Sequence, residues 1–250
     1  MYLLLSSASL YAGGVIFNDL MDVEWDIINN PGKPIASGKA NKKISLALGV
    51  FLTLIGISAA FTVSYLSGTI SILIAIIAFL HNSFKNHINI GGLLLGMCRS
   101  LNLLLGMSIV YATISNYWFL ALIPITYVGA VALLSGGAML GSAKSTVEAS
   151  LLILSIVLIG VLTLTFLPEF RLLHALPFLI LFVAITFPGI LKALYRPEPK
   201  EIQKASNKFI HSLFILEAGI ASGFAGYEYG ILILLLLPFS IALSRIMEEF

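Results

Sequence analysis

The chain has little charge and almost no cysteine. Lys, Arg, Asp and Glu make up 10% of its 250 residues, whereas 59% are hydrophobic and the mean hydropathy is +1.02. A soluble globular domain carries about 25% charged residues, so this composition excludes that class and favours helices that span a membrane. Cys98 is the single cysteine, which excludes a disulfide framework and a thiolate metal site within the chain.

Long apolar runs alternate with short polar connections along the sequence. A helix needs about 20 apolar residues to cross a bilayer, and backbone groups in lipid are satisfied only in helices or closed barrels. Because the runs are long and uninterrupted, the sequence predicts an all-α polytopic membrane protein. The nine predicted spans are approximately 1–19, 44–66, 68–84, 90–113, 117–140, 147–167, 171–193, 208–226 and 229–246.

Basic residues fall almost entirely on one side of these spans. When the spans alternate across the bilayer, all of the 14 Lys and Arg residues except Arg171 lie nearer one side. Cytoplasmic loops of membrane proteins are enriched in Lys and Arg, so we expect that side and the C-terminus to be cytoplasmic in a multi-pass cell-membrane protein. Lysines spread over juxtamembrane loops suit anionic lipid and do not indicate nucleic-acid binding.

All three aspartates of the chain lie within residues 18–26, at the cytoplasmic end of the first predicted span. On a helix, about a quarter of the circumference would hold four oxygen-bearing side chains, Asn18, Asp19, Asp22 and Asp26. Carboxylates this close repel one another and require a cation, and Mg²⁺ prefers such oxygens while keeping positions open for phosphate. The alternative is a solvated helix end whose acids lie among lipid headgroups.

Further polar side chains are candidates for binding an anion. Lys33 lies in a Gly- and Pro-rich turn after the acidic segment and is either a phosphate contact or an ordinary topogenic lysine. Arg99 and Asn102 share a face inside the fourth span, where a guanidinium needs an anion such as a diphosphate or an Asp carboxylate. Lys144 follows a Gly- and Ser-rich turn that can meet phosphate or simply connect two helices.

A metal-binding acidic face, nearby cations and an apolar bundle suit a diphosphate on a long apolar chain. Neutralising the leaving diphosphate lets an allylic C–O bond ionise, and an electron-rich acceptor then traps the carbocation. Water must be excluded from such a site, which a helical bundle can do.

Two motifs resemble the UbiA superfamily of intramembrane prenyltransferases. One is the Asn18, Asp22 and Asp26 pattern followed by residues 33–38, and the other is residues 99–106, which resemble a segment of the EboC-type branch. The resemblance covers most of the chain and implies a single domain over residues 1–250. It also implies a helical bundle with a central cavity open to lipid.

The resemblance assigns roles to residues. It implies that Mg²⁺ and diphosphate are held by Asn18, Asp22 and Asp26, that Lys33 contacts phosphate, and that Asp22 and Asp26 are catalytic. We expect further diphosphate contacts from Asp19, Arg99, Asn102 and Lys144. The chain departs from the family by beginning at the motif helix, by an extra helix at 229–246, and by lacking the second Asp-rich motif. The corresponding residues 135–148 contain Glu148 as their one acid.

The residues support three functional hypotheses. The first is a Mg²⁺-dependent prenyltransferase that moves an isoprenyl group from a polyprenyl diphosphate to an aromatic, quinone-precursor or lipid acceptor. The second is a catalytically degenerate homologue that binds or transports a prenylated or amphipathic metabolite. The third is a secondary transporter, although the paired broken helices typical of that class are not seen. Expected partners are the diphosphate, a small acceptor and membrane lipid, with no nucleic acid and no obligate protein partner.

Overall fold

A computed structural model describes residues 1–85, 88–140 and 143–248 of the chain. Within these ranges the chain forms α-helices joined by short turns, without a strand, which confirms the all-α prediction. The helices are α1 (Tyr2–Met21), α2 (Val23–Asn29), α3 (Lys42–Phe61), α4 (Tyr65–Phe84), α5 (Ile88–Met107), α6 (Tyr111–Tyr117), α7 (Leu122–Leu140), α8 (Ala143–Thr163), α9 (Leu172–Tyr195), α10 (Pro199–Ala225) and α11 (Tyr227–Glu248).

Local sequence signals explain where several helices begin and end. The Asn41 side chain accepts hydrogen bonds from the backbone N–H groups of Lys43 and Ile44 and so caps α3. Ser64 caps α4 in the same way through the N–H of Ser67. Pro199 is suited to the first turn of α10 because that position needs no N–H donor. Gly226 ends α10 with a φ of 113°, a conformation that favours glycine.

The predicted spans agree with the structure in number more closely than in their limits. The described residues contain eight helices that are long and apolar enough to cross a membrane, as an integral membrane protein requires. The ninth predicted span, 229–246, falls in α11, whose apolar described part is Tyr227–Leu236.

Two span limits are corrected by the structure. The predicted span 90–113 is wrong at its end, because Ser108 donates through both Oγ and N–H to the Leu105 carbonyl and terminates α5. The predicted eighth span, 208–226, begins too late, because α10 continues without a break from Pro199 to Ala225.

The helices form two compact units, Met1–Ile125 and Thr126–Phe250. In the first unit, α1 packs on α3, α4 and α5. A Cβ on Gly56 would lie 3.0 Å from the Ser6 carbonyl oxygen, so glycine permits the close approach of α3 to α1. The apolar core of this unit contains Leu3, Leu10, Ala60, Ile70, Ile74 and Leu105.

In the second unit, α10 packs between α9 and α11. Tyr127 is fully buried, and its hydroxyl donates to the Phe209 carbonyl at 2.8 Å and lies 2.7 Å from the Ser212 hydroxyl. The buried phenol is therefore satisfied, as burial requires. The prediction that residues 1–250 make a single domain, with a central lipid-open cavity, stays a prediction.

Candidate functional site

The acidic segment spans a break between α1 and α2. Asp22 separates the two helices and has a φ of −89° and a ψ of 0°. Helical hydrogen bonds nevertheless continue, since the Asp22 N–H donates to the Asn18 carbonyl at 3.0 Å and the Asp26 N–H donates to the Asp22 carbonyl at 2.8 Å. The single continuous helix assumed from the sequence is therefore wrong at one residue, but the four-residue spacing of the acids is kept.

Lys33 returns to the acidic segment from the loop after α2. Its Nζ donates to Asp19 Oδ1 at 3.0 Å and to Asp26 Oδ2 at 2.9 Å. The Asn30 amide donates to the other oxygen of Asp26 at 3.1 Å. Asp26 is only 1% exposed, so its carboxylate is sealed between the lysine and the asparagine. The structure thus places Lys33 beside the acids, and its contact with phosphate stays a prediction.

These contacts shift two ionisation equilibria. Burial alone raises the pKa of Asp26, but hydrogen bonds from Lys33 and Asn30 outweigh burial and hold that pKa below 3.8. Burial likewise lowers the pKa of Lys33, while hydrogen bonds to Asp26 and Asp19 raise that pKa above 10.5. Both side chains are therefore charged at neutral pH.

The depressed pKa of Asp26 predicts an acid-sensitive stability. The stabilisation is complete above the ordinary carboxyl pKa of 3.8 and is lost as pH falls through the lower pKa of the folded state. We expect the melting temperature in detergent to fall from pH 5 to pH 3, and to fall less in Asp26→Asn. An equal fall in the two proteins would contradict the assignment to Asp26.

Lys85 is a second cation at the acidic segment, and sequence reasoning missed it as a site residue. It follows the last residue of α4, and its Nζ donates to Asn18 Oδ1 at 2.7 Å and to the Asp22 carboxylate. One turn earlier, the Asn82 amide donates to the Gly14 carbonyl at 3.0 Å and fixes α4 against α1. The available signal was its position at the end of a neighbouring span on the same side of the membrane.

The assembled site, named the acidic cluster, consists of Asn18, Asp19, Asp22, Asp26, Lys33 and Lys85. Three carboxylates face two ammonium groups, so the cluster retains one net negative charge. All of its acceptors are carboxylate or amide oxygens, the hard donors that Mg²⁺ prefers. Because each ammonium already bridges two acceptors, the oxygens are placed to receive cations, and the donor chemistry fits Mg²⁺.

The acidic cluster matches Mg²⁺ in the type of its ligand atoms, but its side chains do not form a preassembled metal site. Among the residues that the structure describes, no group of three or more His, Cys, Asp or Glu side chains is gathered as metal ligands. The carboxylates are held in lysine-bridged sets instead. A metal ion would therefore bind as the lysines turn towards another anion.

Within the first unit, Arg99 and Asn102 make no hydrogen bond or ion pair with the acidic cluster among the described residues. Asn102 Oδ1 accepts a hydrogen bond of 2.6 Å from Ser7 Oγ, near the opposite end of α1. Arg99 is exposed on α5, three residues before Asn102. Lys144 lies in the second unit, exposed, with its Nζ 4.0 Å from Glu148 Oε1. The diphosphate role of Lys144 stays a prediction.

The family model for the UbiA prenyltransferase family matches residues 1–217 of the chain. The chain belongs to this family. The membership confirms the resemblance found in the sequence, and the match includes the whole acidic cluster and residues 99–106. UbiA members are membrane proteins, in agreement with the apolar helices.

Individual relatives match parts of the UbiA-type chain. It is 39% identical over 64 residues to the digeranylgeranylglyceryl phosphate synthase of Methanococcoides burtonii, covering 26% of this chain and 23% of the relative. It is 33% identical over 113 residues to the synthase of the same name from Saccharolobus solfataricus, covering 45% of this chain and 39% of the relative. The chain thus matches less than half the length of these curated relatives.

A solved structure extends the similarity to most of the fold. It comes from work on the biosynthesis of digeranylgeranylglyceryl phosphate synthase in membranes, and it aligns with a TM-score of 0.75 over 91% of this chain and 85% of its own. The sequence identity is 16%, so the alignment shows a shared fold. The all-α membrane architecture is therefore confirmed by a second, independent comparison.

Proposed function

We propose that this UbiA member is a Mg²⁺-dependent prenyltransferase that moves an isoprenyl group from a polyprenyl diphosphate to a lipid acceptor. The observation that carries the proposal is the acidic cluster, where Lys33 and Lys85 each bridge two oxygen acceptors at the end of a membrane helix. The name of the relatives, digeranylgeranylglyceryl phosphate synthase, supports a glyceryl phosphate lipid over an aromatic acceptor.

The ammonium groups and the oxygen ligands of the acidic cluster have different roles in the proposed reaction. The ammonium groups of Lys33 and Lys85 can donate to diphosphate oxygens, because each already donates to anionic oxygens at the same place. As they do so, the oxygens of Asn18, Asp22 and Asp26 become free to hold Mg²⁺, with Asp19 beside them. Bound Mg²⁺ supplies neutralisation of the negative charge that develops on the leaving diphosphate.

The transfer itself breaks one bond and forms another. The C–O bond of the allylic diphosphate breaks and the electron pair leaves with diphosphate, whose charge the two lysines stabilise. The acceptor oxygen then bonds to the allylic carbon, and its proton passes to the departing diphosphate. Asp22 and Asp26 would hold the Mg²⁺ that neutralises this leaving group, so we assign them as catalytic residues.

The defining experiment is a transfer assay with purified protein in lipid nanodiscs. It supplies radiolabelled geranylgeranyl diphosphate with a single-chain glyceryl phosphate lipid or with 4-hydroxybenzoate, in Mg²⁺ or in excess EDTA. We expect labelled lipid product and released diphosphate in Mg²⁺ alone. Transfer only to 4-hydroxybenzoate would contradict the lipid acceptor, and absence of turnover with every acceptor would contradict the enzyme.

A second candidate function is binding or transport of a prenylated or amphipathic metabolite without catalysis. It is favoured by residues 135–148, which hold Glu148 in place of a second aspartate motif. Under this alternative, geranylgeranyl diphosphate binds at equilibrium but releases no diphosphate over hours in Mg²⁺. The transfer assay above therefore separates the two functions directly.

The role of Lys85 gives a prediction within the same assay. Replacing Lys85 by Met removes one charged donor to the diphosphate, and a hydrogen bond to a charged group is worth about 1.5–3 kcal/mol. We expect the KM for prenyl diphosphate to rise about 10-fold or more. The matched control is Lys39→Met, an exposed lysine in the loop after α2, which should leave KM within about twofold. Equal effects of the two substitutions would refute the assignment.

We propose that the acidic cluster and the C-terminus face the cytoplasm, because the Lys and Arg residues concentrate on that side. The test replaces exposed Glu24 by Cys in a Cys98→Ser background. A membrane-impermeant maleimide should label inside-out vesicles and leave intact cells unlabelled. Labelling of intact cells would reverse the orientation.

A further inference from the structure

The α5 helix presents an exposed face that carries two polar residues. Leu95, Arg99, Asn102 and Gly106 follow at spacings of four, three and four residues, which places them on one side of the helix, and all four are exposed. Ionisable residues within membrane helices face a cavity or the bundle interior and avoid lipid. This α5 face is therefore suited to contact a ligand.

The position of the α5 face along the first unit separates it from the acidic cluster. The hydrogen bond between Ser7 and Asn102 fixes the depth of α5 against α1. Ser7 precedes Asn18 by 11 residues, or about 16 Å of helix, and Arg99 lies about 4.5 Å from Asn102 towards the acidic cluster. Measured along the helix axis, Arg99 is thus offset from Asn18 by about two helical turns.

Arg99 carries a permanent charge that the described part of the protein does not pair. No hydrogen bond or ion pair joins its guanidinium to another described residue. The three aspartates are not free to pair with it, because Lys33 holds Asp19 and Asp26 and Lys85 holds Asp22. Because no described carboxylate neutralises the Arg99 guanidinium, an anionic ligand can serve as its counter-ion.

Asn102 is oriented to assist the same ligand. Its Oδ1 is occupied by the Ser7 hydroxyl at 2.6 Å, which leaves the amide NH₂ as the group available to a new partner. Both Arg99 and Asn102 therefore offer hydrogen-bond donors on one face. Two hydrogen-bond donors and a positive charge favour a ligand that has negatively charged oxygens.

An apolar cavity in the first unit is lined in part by Asn102. It has a volume of about 480 Å³, lies on the side of Asn102 away from the acidic cluster, and is lined by residues that include Leu4, Val63, Leu105, Gly106 and Ile109. Pockets for small molecules measure about 300–1,000 Å³. A Cβ on Gly106 would meet no atom within 4 Å, so the floor beside Asn102 is open.

We propose that Arg99 and Asn102 bind the anionic head group of the acceptor, a single-chain amphiphile whose apolar chain lies in the adjoining cavity. The proposal rests on the proposed prenyl transfer. It assigns the two anionic groups of the reaction, the diphosphate and the acceptor head group, to two different sites in the first unit. The diphosphate is held by the acidic cluster, and the acceptor head by the α5 face. A phosphate and a carboxylate share the required chemistry, and the experiment distinguishes them.

The test measures binding without prenyl diphosphate. Purified full-length chain in neutral detergent is titrated with oleoyl lysophosphatidate, oleate or monoolein, and bound lipid is quantified by native mass spectrometry. We expect lysophosphatidate to bind more tightly than neutral monoolein, and Arg99→Gln to weaken its binding about 10- to 100-fold. Arg99→Lys should recover part of the loss, and monoolein binding should not change.

Controls separate this proposal from the proposed function. Arg171→Gln removes a matched exposed arginine in the second unit and should bind lysophosphatidate as the parent chain does. Asp22→Asn should strongly reduce transfer yet retain lysophosphatidate binding. Stronger binding of lysophosphatidate than of oleate identifies a phosphate head, and the reverse identifies a carboxylate. Equal binding of lysophosphatidate and monoolein, or an unchanged affinity in Arg99→Gln, would overturn the proposal even if transfer is observed.

Kinetics give a second readout. In the transfer assay, Arg99→Gln should raise the KM for an anionic acceptor about 10-fold or more while leaving the KM for prenyl diphosphate unchanged. A rise in the KM for prenyl diphosphate alone would show that Arg99 contacts the diphosphate, and it would overturn the proposal.

Discussion

Asp22→Asn is expected to lower kcat/KM for prenyl transfer by about 10²–10³-fold, the usual loss when one preorganised electrostatic group is removed from an active site. The carboxylate pairs with Lys85 and is a proposed Mg²⁺ ligand, and an amide of equal size keeps the shape but not the charge. The measurement is release of labelled lipid product from nanodiscs at saturating Mg²⁺.

The control for Asp22→Asn is Glu24→Gln. Glu24 is exposed, lies two residues further along the chain and makes no ion pair with another described residue. Its removal subtracts the same formal charge, so kcat/KM should stay within about twofold if general surface charge is unimportant. A comparable loss of kcat/KM in both variants would show a long-range effect of charge and would contradict a specific catalytic role of Asp22.

Lys33→Met is expected to be the most destabilising single change in the acidic cluster. It leaves the Asp26 carboxylate, 1% exposed, with Asn30 as its remaining hydrogen-bond donor. Breaking a buried pair by removing one partner costs about 3–5 kcal/mol, and partial exposure of Lys33 reduces the expected loss to about 2 kcal/mol. Thermal unfolding in detergent, with Lys39→Met as the matched lysine control, measures the difference.

A double variant shows whether the cost comes from the stranded carboxylate. Adding Asp26→Asn to Lys33→Met removes the buried charge, so the double variant should be more stable than Lys33→Met alone. If the stability losses of Lys33→Met and Asp26→Asn simply add in the double variant, the ion pair contributes little to stability. Other contacts would then hold the loop after α2.

Composition and periodicity predicted the all-α membrane fold because a bilayer leaves few alternatives for apolar runs of this length. They failed where a local hydrogen bond decides the outcome, as at Ser108, which ends α5 before the apolar run does. Hydrophobicity is a property of a window of residues, whereas a helix end depends on single side chains.

The site was predictable where its residues are close in sequence. Helical spacing predicted that Asn18, Asp19, Asp22 and Asp26 share one face. The structure holds them as two pairs, with Asp19 and Asp26 on Lys33 and with Asn18 and Asp22 on Lys85. Lys85 is 63 residues from Asp22, and nothing in a single sequence distinguishes it from other basic residues at helix ends. For Arg99 and Asn102, the face they share was predicted, but their depth depends on the contact of α5 with α1.

The acidic cluster also bears on how the protein releases its product. Lys33 joins α1 to the loop after α2, and Lys85 joins α1 to the end of α4. A diphosphate that recruits both lysines must displace Asp19, Asp22 and Asp26. After transfer, these tethered carboxylates compete with the spent pyrophosphate for the same ammonium groups at a high effective concentration. Under the proposed function, the protein thus carries its own displacing anion, and turnover would end with Lys33 and Lys85 again bound to their carboxylates.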